Sequence, residues 1–187
     1  MPPPPRPSFA AVTRTAWFIL RQLHSSLRRA VLRVVLPLSL LPPAMFYYAG
    51  TFHGDDFMPG FADRDWLSIA AIFFAAELAT VAAMGRLIEW IARVNHFVAD
   101  RTSAYFLAFA AAIPLWISSL ALAVPSLVFA GGVGLLALGL SGVVIYHGVA
   151  TLLRVKDDVV AGSIAFGIMA CGLLAWGMLL VIVLPLG

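Results

Sequence analysis

The sequence predicts an all-α, polytopic membrane protein, and three observations support this fold class. Hydrophobic residues make up 62% of the chain and charged residues only 11%, and the mean hydropathy is +0.98. A soluble domain of 187 residues does not need that much apolar surface. The apolar residues form five runs that each approach the roughly 20 residues needed for a spanning helix. Because these runs lack period-two alternation, we expect helices and not a β-barrel.

Residues 1–29 are predicted to form a cytoplasmic segment with a proline-rich start and an amphipathic helix lying on the membrane. Apolar residues recur at steps of three and four between Phe9 and Leu27, which defines one face of a helix. The side chains predicted to contact anionic lipid head groups are Arg14, Trp17, Arg21 and Arg28. This helix is interpreted as a topology anchor or, alternatively, as a docking surface for a partner or for curved membrane. The short apolar patch "AWFIL" is too brief for a signal peptide, so we expect the segment to be retained.

Residues 30–187 are predicted to form the transmembrane domain. The five spans are expected at about Val31–Gly50, Leu67–Glu89, Ala104–Val124, Val128–Ala150 and Val159–Leu184. Three prolines in the first span and Pro114 in the third should bend or open those helices, which could also make room for a small cavity. The single cysteine, Cys171, lies in the fifth span and cannot form an intrachain disulfide.

The distribution of basic residues predicts the orientation of the spans. Eleven of the twelve lysines and arginines flank one side, and the exception, Arg64, lies in a loop with four aspartates. Because basic flanks stay in the cytoplasm, we expect a multi-pass protein of the cytoplasmic (inner) membrane with its N-terminus inside and its C-terminus outside. The net charge of +3 then indicates topology and attraction to lipid head groups and not nucleic-acid binding.

Glu77 is the one acidic residue deep inside a predicted span. It lies about 15 Å from Leu67, close to the midplane of a ~30 Å core. A carboxyl at that depth must be protonated, paired or in contact with a wet cavity. The preferred interpretation is a largely neutral carboxyl that hydrogen-bonds inside the bundle, and the alternatives are a proton or substrate relay and a lipid-facing residue. The predicted intramembrane polar partners are Ser39, Ser118 and Ser119.

The second span is predicted to continue beyond the membrane as a helix that presents polar side chains to the cytoplasm. Arg86, Glu89, Arg93 and His96 follow one another at steps of three and four, and Trp90 marks the interface. The remaining residues predicted at the cytoplasmic interface are His147, Lys156, Asp157 and Asp158. A helix that simply emerges from the membrane is the plainest interpretation of this pattern.

Small residues in the last two spans are predicted to pack helices tightly, with a homo-oligomer interface or a lipid-accessible groove as alternatives. The sequence offers no evident catalytic machinery, and we expect neither an enzyme nor a cofactor. "FHGDDF", which contains His53, Asp55 and Asp56, is expected to be a solvated turn and not a metal site. His96 and His147 are expected to hydrogen-bond separately at head-group depth, although they are close enough to the same interface to meet.

Three segments carry a resemblance to a known family: "VAAMGRLIEWIAR", "AIPLWISSLALAVPSL" and "VIYHGVATLLRVKDDVVAG". Together they resemble the Yip-domain family of five-span proteins, named in eukaryotes for interaction with Ypt/Rab GTPases, and in particular its short bacterial inner-membrane members of the YohC type. The resemblance covers approximately Leu36 to Leu184. It departs at Lys156 and Val159, where family members often carry proline and lysine. It implies a role in membrane organisation or trafficking and, for bacterial members, no established biochemical activity.

Two hypotheses about function follow from the sequence. In the first, the protein organises the membrane or recruits a partner on the cytoplasmic side. In the second, it is a small transporter, channel or lipid-translocating protein that uses Glu77 at the midplane. A dry, packed site around Glu77 favours the first hypothesis, whereas a polar path between the two faces favours the second.

Overall fold

A computed structural model describes residues 31–57, 59–97, 101–155 and 157–183. The regular structure in these ranges is helical, and five of the helices are long and apolar enough to cross a membrane. The predicted all-α, five-span fold is therefore confirmed. The predicted amphipathic helix and the turn residue Lys156 lie outside the described residues. The head-group residues that fall outside with them are Arg14, Trp17, Arg21 and Arg28.

Prolines interrupt the first span near its start. A π-helical turn covers Val31–Val35, a short α-helical turn covers Leu36–Ser39, and helix α1 covers Leu41–Phe57. Pro42 and Pro43 lie in the first turn of α1, where a helix does not use the backbone N–H that proline lacks. The prolines thus divide the span where the sequence predicts a bend.

Helix α1 ends later than predicted, at Phe57 and not at Gly50, so "FHGDDF" forms its last turns. The following loop folds back against these turns. The ring of Trp66 occupies the position that a Cβ at Gly50 would take. The Asp55 carboxylate accepts a hydrogen bond from the Gly60 amide at 3.0 Å. The absence of a side chain at Gly50 and the Asp55 hydrogen bond therefore allow close contact between the helix end and the loop.

The other four long helices each begin and end within a few residues of the predicted spans. They are α2 (Trp66–Val94), α3 (Arg101–Ser118), α4 (Leu127–Leu152) and α5 (Asp158–Val183). A 3₁₀ turn, Ser119–Ala123, extends α3. At three helix starts, a side-chain oxygen accepts a hydrogen bond from a backbone N–H group. The first N–H groups of a helix have no partner within the helix, so these bonds satisfy them. These capping residues are Asp65 for α2, Ser126 for α4 and Asp157 for α5.

The main hydrophobic core lies toward the end of the bundle that holds the α2–α3 and α4–α5 connections. Its most deeply buried side chains include Ile88, Leu107, Val149, Leu153 and Ile168. At the opposite end, by contrast, no residue between 127 and 136 of α4 or between 169 and 178 of α5 is buried. The bundle is therefore tightly packed at one end and more open at the other.

The glycines of α4 and α5 only partly confirm the predicted tight packing. At Gly142 an added Cβ would lie 2.9 Å from the Met169 Sδ atom, so a close approach exists there. At seven other positions the prediction is wrong, because nothing in the described chain lies within 4 Å of an added Cβ. These positions are Gly131, Gly132, Gly134, Gly139, Gly162, Gly167 and Gly177. The physical reason is that most of them lie on faces or helix halves that no other described helix covers.

Candidate functional site

Glu77 is buried in the bundle. It lies on α2, about 16 Å along the helix from Trp66, and only 6% of its surface is exposed. This burial contradicts the alternative that Glu77 faces lipid. Because a charged carboxylate at this depth is costly, its immediate neighbours decide what the group can do.

The hydrogen-bond partner of Glu77 is Trp116 on α3 and not one of the predicted serines. The Trp116 side chain donates a hydrogen bond to the Glu77 carboxyl, since an indole N–H can only donate. The other carboxyl oxygen, Glu77 Oε2, is buried and has no partner among the described residues. One half of the carboxyl is thus satisfied and the other half is not.

The three predicted serines hydrogen-bond within their own helical turns. Ser39 donates to the Leu36 carbonyl at 3.0 Å. Ser118 and Ser119 each donate at 2.7 Å to the carbonyl three residues earlier. A serine hydroxyl on a helix commonly bonds to a backbone carbonyl of the preceding turn instead of to another side chain. The prediction considered only the depth of each serine in its span, and it therefore chose the wrong partners for Glu77. The missed signal was Trp116, which lies at a similar depth in the third span. Unlike a serine hydroxyl, its indole N–H does not bond to the carbonyls of the preceding helical turn and so is available to Glu77.

A cavity of about 260 Å³ adjoins Glu77 and draws walls from all five long helices. Ser118 and Ser119 contribute to its wall, as does Ser141 on α4. The Ser141 hydroxyl is also buried without a described hydrogen-bond partner. Most of the lining is apolar, and Glu77 is the one ionisable side chain among the described lining residues. The surroundings of Glu77 are therefore neither fully packed nor a polar path across the membrane.

A second concave site, the arginine cluster, lies at the well-packed end of α2 and α3. We define it as Arg86, Glu89, Trp90, Arg93, Arg101 and Tyr105. Arg93 Nη2 lies 2.6 Å from Glu89 Oε1, the contact that the i to i+4 spacing of these two residues on a helix favours. Arg101 Nε lies 3.3 Å from the other oxygen, Glu89 Oε2. Both carboxylate oxygens of Glu89 are thus engaged by arginines from two helices.

The arginine cluster carries a net positive charge, because three arginines surround a single glutamate. The side chains of Arg93 and Arg101 are each 73% exposed, whereas that of Glu89 is 14% exposed. Trp90 is exposed beside them, as expected for an aromatic residue at a membrane interface. Sequence reasoning missed Arg101 and Tyr105 as members of the site, since they follow a chain connection and only the fold brings them to α2.

The remaining predicted interface residues do not join the arginine cluster. His96 was predicted on the polar face of the second helix, and this is wrong: it lies beyond the end of α2 with φ of 56°. The Phe97 amide bonds back to the Ala92 carbonyl at 2.9 Å, so His96 occupies the left-handed position of a helix-ending motif. Asp157 caps α5 through the Val159 amide at 2.8 Å.

His147 and Asp158 also have local environments of their own. His147 Nδ1 lies 2.9 Å from the Val143 carbonyl on the same helix, and Asp158 is the exposed first residue of α5. His53 Nδ1 and Asp56 Oδ2 lie 3.4 Å apart in the last turns of α1. In the part of the chain that the structure describes, no three histidine, cysteine or acidic side chains are grouped to hold a metal ion.

Comparison with known proteins shows which family the chain belongs to. The chain is 33% identical to the inner membrane protein YohC of Escherichia coli strain K12 over 94 residues, and equally to that of Escherichia coli O6:H1. Each match spans 49% of this chain and 47% of the relative, so it covers about half the length of the curated relatives. No solved structure matches the chain. The Yip1 domain model matches residues 7–179, and the chain therefore belongs to the Yip1 domain family.

Proposed function

We propose that the protein organises the inner membrane without catalysis, by holding anionic lipid head groups at the arginine cluster on its cytoplasmic side. The observation that carries this proposal is the grouping of three arginines around one glutamate at the end of an apolar bundle. Two further features support it: the family match and the similarity to relatives that are named inner membrane proteins. A protein partner on the same side and a homo-oligomer remain compatible proposals.

The chemistry of the arginine cluster suits a lipid phosphate. A guanidinium group presents several N–H donors in a planar fork, which matches phosphate oxygens. Glu89 holds Arg93 and Arg101 in place through its two oxygens. Arg86 is in no ion pair with the described acidic residues, so its donors are available to a ligand. Glu89 therefore orders the site without neutralising it.

Lipid retention tests this proposal. The purified full chain is examined by native mass spectrometry in mild detergent with phosphatidylglycerol or phosphatidylcholine. We expect preferential retention of phosphatidylglycerol, and at least about tenfold weaker binding in an Arg86→Ala/Arg101→Ala variant, since each hydrogen bond to a charged group is worth about 1.5–3 kcal/mol. The matched control is Arg154→Ala, which removes an exposed arginine outside the cluster. Equal retention of both lipids, or an equal loss in the control, would contradict the proposal.

A small transporter, channel or lipid-translocating protein is the second candidate function, favoured by the cavity beside Glu77. Its apolar lining and single ionisable group argue against a proton path through the described residues. We expect proteoliposomes of the wild type and of Glu77→Gln to dissipate a pH gradient no faster than empty vesicles. A wild-type flux that disappears in Glu77→Gln would establish the transporter instead, because an amide cannot relay protons.

A further inference from the structure

We propose that the cavity beside Glu77 binds the end of a membrane-resident amphiphile that carries a neutral hydroxyl group. The hydroxyl group hydrogen-bonds to the unpartnered polar atoms that Glu77 and Ser141 contribute to the lining, and the hydrocarbon chain fills the apolar remainder. This inference rests on the cavity alone and is independent of head-group binding at the arginine cluster.

Two unpartnered polar atoms in one cavity carry the inference. Glu77 and Ser141 are 6% and 5% exposed, and both line the cavity. Glu77 Oε2 and Ser141 Oγ have no hydrogen-bond partner in the described part of the chain. A buried polar atom without a partner costs about 1–3 kcal/mol, so a ligand that satisfies both atoms gains affinity. A hydroxyl group suits both because it donates and accepts.

The size and walls of the cavity fit a hydrocarbon chain. An apolar protein cavity of about 150 Å³ holds benzene. On that scale the present cavity of about 260 Å³ has room for about ten non-hydrogen atoms. One or two waters could satisfy the polar atoms, but water does not fill a largely apolar space of this size favourably. The lining thus favours one chain end with a small polar group.

Two lining residues connect the cavity to the lipid-facing surface. Leu173 and Trp176 on α5 both line the cavity, and they are 41% and 42% exposed. This stretch of α5 belongs to the open end of the bundle, where no residue from 169 to 178 is buried. An amphiphile can therefore enter from the bilayer with its chain still in hydrocarbon.

A neutral hydroxyl fits better than a charged head group. An ammonium or carboxylate group would have to leave the aqueous interface and lose its hydration to reach Glu77, which is costly in an apolar site. The described cavity lining offers no cationic side chain to offset a ligand carboxylate. A long-chain alcohol makes the two hydrogen bonds without transferring charge.

Photoaffinity labelling tests the inference on the full chain in lipid nanodiscs. The probe is 1-decanol that carries a diazirine, and cross-linked peptides are mapped by mass spectrometry. We expect labelling on α2, α4 and α5 next to the cavity, with 1-decanol competing about tenfold better than decane because only the alcohol makes the hydrogen bonds. Decylamine and decanoic acid serve as the charged competitors and should compete less well than 1-decanol.

Two kinds of variant test the inference separately: some remove the polar groups of the cavity, and others fill the cavity with a larger side chain. Glu77→Leu combined with Ser141→Ala should weaken competition by 1-decanol about tenfold, to the level of decane, because both hydrogen-bonding groups are removed. Glu77→Gln alone should retain competition because an amide also hydrogen-bonds. Gly134→Phe should abolish labelling by filling the cavity. Gly131→Phe is its matched control, since both positions on α4 have space for a Cβ but only Gly134 lines the cavity. Gly172→Leu is a second occluding variant, and a thermal melt of each variant verifies folding.

Several results would overturn the inference. Equal competition by decane and 1-decanol would show that the hydroxyl group is not recognised. Stronger competition by decylamine than by 1-decanol would show that the site prefers a cationic ligand. Labelling that persists in both folded occluding variants would place the alcohol elsewhere. Failure of every amphiphile to compete would leave water as the occupant. None of these results depends on whether the arginine cluster retains phosphatidylglycerol.

Discussion

At the residue scale, two kinds of position constrain the structure. At the first, any side chain larger than hydrogen would overlap a neighbouring residue, and at the second, a buried polar group needs a hydrogen-bond partner. Gly50 and Glu77 represent the two cases. Gly50 makes space for the Trp66 ring. Glu77 shares a hydrogen bond with Trp116, a side chain that is itself 2% exposed. Both pairs join different helices, so each can be tested by a single substitution.

Gly50→Ala should destabilise the protein. The added methyl group would occupy the position of the Trp66 ring, which also donates a hydrogen bond to the Phe61 carbonyl at 2.6 Å and is therefore fixed. Overpacking of this kind costs about 1–3 kcal/mol. A thermal melt in detergent measures the loss. Gly139→Ala is the control, because no other described helix comes within 4 Å of its Cβ position, and it should be neutral or stabilising by about 0.5–1 kcal/mol. Equal melting of the two variants would contradict the assignment.

Glu77→Gln should melt close to the wild type, whereas Glu77→Leu should be less stable. Glutamine retains an oxygen that accepts from the Trp116 indole, but leucine leaves that buried donor unpaired, which costs about 1–3 kcal/mol. Trp116→Phe in the Glu77→Leu background supplies the control, since it removes the unpaired donor and should add less destabilisation than it does alone. Strictly additive effects of the two substitutions would show that the hydrogen bond does not contribute.

At the element scale, most helix starts and ends follow from local sequence signals. Asp65 caps α2, and its carboxylate accepts from the Ser68 amide at 3.2 Å. Hydrogen bonds from the Ser68 side chain, and then from the backbone amides of Ser68 and Leu67, lower the pKa of Asp65 below its ordinary value of 3.8. A carboxyl with a lowered pKa stabilises the folded state above its ordinary pKa, and this contribution is lost as the pH falls through the lower folded-state value.

Asp65→Ala should therefore lower the melting temperature at pH 7, and the difference from the wild type should shrink below pH 3.8, the ordinary pKa of the carboxyl. Asp65→Asn should preserve much of the cap without its pH dependence. Asp63→Ala, which removes an exposed carboxylate from the same loop, is the control and should melt like the wild type. A difference between Asp65→Ala and the wild type that does not change with pH would refute the role of the carboxylate charge.

The elements also show how far the sequence could predict the structure. Hydropathy located the five long helices because lipid requires each span to satisfy its own backbone. The Glu89–Arg93 pair was predictable because its geometry is local to one helix. The contributions of Arg101 and Trp116 were not predictable, since they depend on which faces of α2 and α3 meet. The helical state of "FHGDDF" depends on packing against the loop, which composition does not encode.

At the scale of the whole molecule, the bundle divides into a tightly packed end and a more open end. The packed end holds the main core and the arginine cluster. Toward the open end, α4 and α5 have no buried residues between 127 and 136 or between 169 and 178, and the cavity reaches the surface. If the packed end lies in the cytoplasm, the arginine cluster meets the inner-leaflet head groups and the cavity opens to the hydrocarbon.

Cysteine labelling tests this orientation through the two ends of α2. Asp63 and Asn95 are exposed residues that flank the helix, which is long enough to place them on opposite sides of a bilayer. Single cysteines are introduced at each position in a Cys171→Ala background, because the native cysteine is exposed in the structure. A membrane-impermeant maleimide should label position 63 in intact cells and position 95 only after the cells are opened, since the basic flank stays in the cytoplasm. Labelling of position 95 alone in intact cells would invert the model and move the arginine cluster to the outer face. Labelling of both positions would show that α2 does not cross the membrane.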